Sequence, residues 1–148
     1  MNTALLSLLQ LSDPALPIGG YAHSWGLETY VQQGVVQDPA SAGDFVREML
    51  RTNLHYTDAA LVSLSYQAAR AQDEARLLEL DALCEAVKLA REIREASRKL
   101  GARLLKIFGG IGVVPGRTDG PALAHYPVVF GYCAATLDIG LRETLTGY

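Results

Sequence analysis

Two cysteines in 148 residues are too few for a disulfide framework. Cys84 and Cys133 stand 49 positions apart in apolar surroundings, so they form no CxxC metal or redox pair and read as buried free thiols. Histidine is equally scarce. His23, His55 and His125 lie far apart, and none has further ligands at the spacing a metal site needs. Charge of one sign is missing too. The net charge is −3, and the 13 Lys and Arg are interleaved with acids, so no basic stripe offers itself to nucleic acid. No apolar run is long enough for a membrane. Tyr126 to Leu137 is interrupted by Pro127 and Gly131 and falls short of the ~20 residues a spanning helix needs. The N-terminal MNTALLSLLQL lacks a basic flank and a cleavage site, so it reads as a native helix and not a leader. These absences predict a cytoplasmic protein in a reducing compartment.

Period-two alternation is also missing, so no strand is expected. What is present is helical spacing. Val46, Leu50 and Leu54 form one stripe, with Phe45 and Met49 beside it, and Leu61, Leu64 and Ala68 continue it. Leu77, Leu80, Cys84 and Val87 form another. Leu89, Ile93, Ala96, Leu100, Leu104 and Ile107 advance by threes and fours, opposite a face of Arg91, Glu92, Arg94, Glu95, Arg98 and Lys99. Gly34 is a predicted C-cap, Asp38-Pro39 a helix opening, Ser41 with Asp44 a capping box, and Asp73 an N-cap. GGIGVVPGRTDGP, residues 109 to 121, is read as a linker to two last helices, around 126–138 and from 141 onward. The expected fold is all-α: a single domain, 1–148, of seven or eight helices with no sheet. LRETLTGY ends inside a helical pattern without a cap or polar tail, which fits either a natural C-terminus or a truncated or proteolysed chain.

The usual marks of catalysis are missing as well. Gly110-x-Gly112 is followed by Pro115, which breaks a dinucleotide fingerprint, and no GxxxxGK[ST] occurs. Ser24 has no glycine two places before it, so it sits in no nucleophile elbow. It reads instead as the N-cap of a helix over Gly26–Gln33. Glu92 and Glu95 are ringed by Arg and Lys, which keeps them ionised and unsuited to general-acid work. No catalytic residue, cofactor or metal site is expected.

One stretch stands out. ALPIGGYAHSWGLE, residues 15 to 28, holds the only Trp, one of the three His and a Gly-Gly turn. Trp25 or Leu27 is expected to anchor it to the core. That leaves Tyr21, His23 and Glu28 to face a partner. This stretch resembles the N-terminal signature of the urease accessory protein UreF family. REIREASRKLGARLL, residues 91 to 105, resembles that family's Arg/Glu-rich helix. AHYPVVFGYCAATLDIGLRETLTGY resembles its HxPVVxG segment. The three occur in register across essentially the whole chain, and Ala22 departs from the serine common in the family loop.

The resemblance implies a non-enzymatic, all-helical protein that dimerises. It would join UreD (also called UreH) and the UreG GTPase on apo-urease for nickel insertion. It also implies that residues 1–148 are the N-terminal two thirds of a longer protein. Interface candidates are Tyr21, His23 and Glu28 in the loop and Arg91, Arg94, Glu95 and Arg98 on the charged helix. Two other readings stay open: a regulator that supplies an arginine to the partner GTPase, and a direct nickel carrier.

Overall fold

The computed structural model describes residues 3–20, 24–112, 114 and 123–148. Among these every regular element is helical, as expected. The order is α1 Thr3–Leu11, α2 Leu27–Gln32, α3 Pro39–Glu48, a π-helical segment Met49–Asp58, α4 Ala59–Arg70, α5 Glu74–Val87, α6 Arg91–Gly110, α7 Tyr126–Thr136 and α8 Leu141–Gly147.

The central element is α7. Its sequence, YPVVFGYCAAT, is apolar all round, and a helix of that kind must be enclosed. Helix α4 covers one side and α6 another, with α5, α8 and α1 completing the shell. Pro127 to Gly131 and Cys133 to Ala135 are buried. Around them gather Leu61, Val62, Leu77, Leu80, Cys84, Leu104 and Phe108 in one core cluster. Both cysteines are free and fully buried, as their surroundings suggest, and burial pushes both thiols up to about 12.

Two glycines set how closely these helices approach. A Cβ on Gly131 of α7 would meet Ser65 Oγ and lie 2.5 Å from the Val62 carbonyl of α4. A Cβ on Gly101 of α6 would strike the Ala124 carbonyl and lie 2.7 Å from the His125 carbonyl carbon. The glycines of the HxPVVxG-like segment and of the Arg/Glu-rich helix are therefore points of backbone contact.

The close approach at Gly101 also corrects the face assigned to α6. Its buried face runs through Ala96, Ser97, Gly101, Leu104 and Phe108. The apolar series missed Ser97 and Gly101 because neither is hydrophobic, yet small residues are what α7 needs. Leu89 precedes the helix and is 86% exposed, and Ile93 is only half-buried. Ile93 therefore lies at the margin and not at the centre of the stripe.

The helix ends are mostly as the sequence predicts. Gly34, at φ +71, closes α2: its N–H donates to Val31, and that of Val35 donates to Tyr30. Gln72 and Asp138 end α4 and α7 with the same pair of bonds, both at φ near +55. Asp73 accepts from the Arg76 N–H at the start of α5. Two cap assignments change. The box is Asp38 with Ser41, not Ser41 with Asp44: the Ser41 N–H donates to Asp38 Oδ1 at 2.8 Å, and the Asp38 N–H donates to Ser41 Oγ at 3.1 Å. Asp44 pairs with Arg47 instead. Ser24 makes no side-chain cap. The N-cap of α2 is Gly26 at φ +89, and Ser24 contributes only its carbonyl, to the Leu27 N–H.

Opposite signs are expected at two glycines. Gly131→Ala should destabilise by about 2 kcal/mol or more, since backbone and not a flexible side chain must move. Gly43→Ala, where nothing lies within 4 Å, should stabilise α3 by up to ~1 kcal/mol. Paired urea melts of the two variants check this.

Candidate functional site

The loop after residue 23, helix α3 and the π segment enclose an apolar groove of ≈ 200 Å³. Trp25 and Leu27 form one wall, Phe45 and Val46 of α3 another, and Met49, Leu50, Asn53 and Leu54 a third. Asp58 stands at its inner end. Trp25 does not anchor the loop in the core as expected. It is 42% exposed, at φ +56, and its ring faces the Lys88 ammonium at 5.9 Å. Half-buried Leu27 lines the groove rather than the core. On the stripe read from the sequence, Val46 and Leu50 are 48% and 52% exposed.

Behind the groove lies a buried ion pair. Lys88 Nζ and Asp58 Oδ1 are 2.7 Å apart, with both side chains 3% exposed. Tyr148 donates its hydroxyl to Asp58 Oδ2 at 3.1 Å, so both carboxylate oxygens are bonded. The Tyr148 ring packs edge-on against Phe130 and beside Tyr126. Burial, reinforced by the Asp58 charge, drives its phenol well above the ordinary range. A second cavity of ≈ 230 Å³, lined by Asn53, Thr57, Val87, Lys88, Leu89, Ala90 and Ile93, lies across the pair. Asn53 lines both spaces, Asp58 the first and Lys88 the second.

A second polar cluster joins α5, α6 and the start of α7. Asp81 Oδ1 accepts from the Ala124 and His125 N–H groups. The buried His125 ring reaches Glu85 Oε2 through Nε2 at 2.8 Å and Ser97 Oγ through Nδ1 at 3.2 Å. Glu85 Oε1 receives Arg94 at 3.3 Å and Arg98 at 3.9 Å. Sequence spacing had given His125 no role, because its partners lie 28 and 40 positions away.

The interface candidates fall into three groups. Tyr21 and His23 lie outside the described residues. Glu28 is exposed in the first turn of α2. On α6, Arg91 and Glu95 form an exposed pair at 2.8 Å, as their i,i+4 spacing predicts, and Arg98 projects beside them. Arg94 is not on the open face. Its side chain is largely covered, binds Glu85 and donates to the Lys88 carbonyl at 2.9 Å, which fastens α6 to the end of α5. The removal of Arg94 therefore loosens a helix junction. Among the described residues no group of three or more His, Cys, Asp or Glu could hold a metal ion, and no helix is long and apolar enough to cross a membrane.

A UreF family model matches residues 36–148. The chain belongs to the UreF family. It is 42% identical over 149 residues to the urease accessory protein UreF of Actinobacillus pleuropneumoniae serotype 3 (strain JL03), an alignment covering 96% of this chain and 66% of the relative. The corresponding protein of Haemophilus influenzae (strain PittEE) is 40% identical over 157 residues, covering 99% and 65%. That of Arthrobacter sp. (strain FB24) is 37% identical over 150 residues, covering 97% and 64%. The chain thus spans a little under two thirds of the length of these UreF relatives.

Lys88→Met should cost about 3–5 kcal/mol, because it leaves Asp58 buried without its counter-charge. The double variant Asp58→Leu, Lys88→Met should recover most of that loss, as measured in a double-mutant cycle of chemical melts. Alkali should act on the same region. Tyr148, Tyr126, Cys84 and Cys133 all ionise at higher pH in the fold than in the unfolded chain. Their contribution is complete below about pH 8 and is lost as pH rises towards 12. Melting temperatures taken across pH 7 to 11 should fall only above that threshold.

Proposed function

We propose that this UreF-family chain is a non-enzymatic adaptor in urease maturation. It assembles with UreD/UreH and the UreG GTPase on apo-urease so that nickel can be inserted. It works in the cytoplasm as a homodimer and turns over neither urea nor GTP itself. The observation that carries this reading is membership of a family whose relatives are named urease accessory protein. The exposed apolar groove bounded by Trp25, Phe45, Val46 and Leu50 supports it, since an apolar concavity is what a helix or loop of another protein fills. The loop residues Tyr21, His23 and Glu28 adjoin this region in sequence. The Arg91–Glu95 pair and Arg98 offer a charged surface elsewhere on the molecule.

Arg94 is a poor candidate for an arginine supplied in trans, being held by Glu85 and two backbone carbonyls, whereas Arg91 and Arg98 stand on the exposed face. A transition-state arginine must be free to enter a neighbouring site.

The test pairs Leu50→Glu with the triple variant Tyr21→Ala, His23→Ala, Glu28→Ala. Each is measured for thermal stability, for capture on immobilised apo-urease bearing UreD, and for urease activation in a host lacking its own UreF. Melting within a few degrees of the parent is expected, because Leu50 is half exposed already. Capture should weaken ~10-fold or more, and activation should fall with it. Normal capture by both folded variants would remove the groove and loop from the interface.

A further inference from the structure

Residues 39 to 70 form one uninterrupted helical rod whose middle is wound differently from its ends. Helical dihedrals run through both junctions: Glu48 and Met49 at one, Asp58 and Ala59 at the other. Between them Met49–Asp58 is π-helical, and the Ala59 N–H donates to the Leu54 carbonyl five residues back. Ten residues is long for a conformation that is rare and mostly confined to single turns.

The sequence of the rod is written for the other winding. Val46, Leu50, Leu54, Leu61 and Ala68 are spaced four, four, seven and seven apart, which is a single α-helical face. The structure divides that face. Leu61 and Ala68 are in the core, whereas Val46 and Leu50 are about half exposed along the groove. The π segment is where the register is lost. Its residues Thr52, Asn53, His55, Tyr56, Thr57 and Asp58 are also weak α-formers, so local propensity holds neither winding firmly.

What lies beyond the segment is tied back to its pivot end by the Trp25 ring, which faces the Lys88 ammonium at 5.9 Å. Among the described residues, α2 and α3 make no more than marginal contact with α1 and with α4 to α8. Helix α3 holds to the π segment, and α2 touches α3 through Tyr30 against Phe45 at 5.3 Å. The seam between this arm and the segment is the unfilled groove. At the other end the segment is fixed. Asp58, its only buried residue, is gripped by Lys88 and Tyr148.

We infer that Met49–Asp58 is a register switch pivoting on Asp58. In the π winding, Leu50 and Leu54 face the groove, and the α2–α3 arm stands as described. In the α winding the rod lengthens, Leu50 and Leu54 turn onto the face of Leu61, and the arm rotates about the rod axis. The groove exists in only one of the two states. Whatever stabilises one winding therefore controls the groove's shape without touching the α4–α8 core.

The test places spin labels at Gly43→Cys on the arm and Ala75→Cys in the first turn of α5. Both are exposed, and the fully buried Cys84 and Cys133 stay unlabelled. Distances are compared between this parent and Thr52→Ala, His55→Ala, Thr57→Ala, which raises α propensity on the segment. A second distance is expected, its population rising ~5-fold or more in the alanine variant. One distance shared by both proteins overturns the switch. Should the alanine variant not fold, amide exchange of the unlabelled, unsubstituted chain decides. Residues 50 to 57 should exchange ~10-fold or more faster than both 42–48 and 60–70. Protection that is even along the rod, or that falls steadily towards α3, overturns the proposal.

Discussion

The Asp58–Lys88 pair is the constraint on which the two halves of the molecule depend. Four parts of the chain converge there: the end of the π segment, the residue just after α5, the hydroxyl of Tyr148 and the Trp25 loop. Desolvating two charges is costly, and their mutual attraction offsets that cost only with good geometry and further bonds. Here Asp58 has both oxygens engaged, and the Lys88 ammonium has the Trp25 ring beside it. The pair therefore acts as a locating pin. It specifies where the rod meets α5, which apolar packing alone would leave free to slide.

Around that pin the polar groups are divided by task. The Asp81–Glu85–His125–Ser97 cluster fixes how α7 enters the bundle, because it captures two backbone N–H groups and the imidazole ahead of the helix. Arg94 closes the turn from α5 to α6 from outside. These ties hold α5 and α6 to each other and to the start of α7, and close packing at Gly101 and Gly131 decides the spacing. The Gly-bearing motifs that mark the family resemblance are, in this chain, largely instructions for helix approach.

Helical content and class were legible because 3.6-residue spacing dominates almost every segment, and α7 was visible as its longest apolar run. The caps at Gly34 and Asp73 were legible because each needs only local chemistry. Burial on α6 was misread: hydrophobicity marks what is oily, whereas α7 selects what is small, Ser97 and Gly101. The π segment was invisible for a related reason, since its apolar residues keep an α-helical period that the backbone does not follow. The groove could not be read at all, because it joins residue 25 to residue 58 through space. His125 and Arg94 were placed by partners distant in sequence or by backbone carbonyls, neither of which leaves a pattern.

The enclosure of α7 has a consequence for how the protein is made. Its partners on α4 lie far earlier in the chain: Tyr66 bonds the Ile139 carbonyl 73 positions away, and Arg70 meets Asp138 68 positions away. Until α7 has left the ribosome, α4 and α6 present an empty slot whose walls are Val62, Leu104 and Phe108. The nascent chain thus carries α1 to α6 before the cluster around α7 can close. Loop closure over such spans is slow, and exposed apolar walls invite association. Synthesis beside a holdase, or at reduced temperature, suits a chain whose keystone helix is translated after the helices that enclose it.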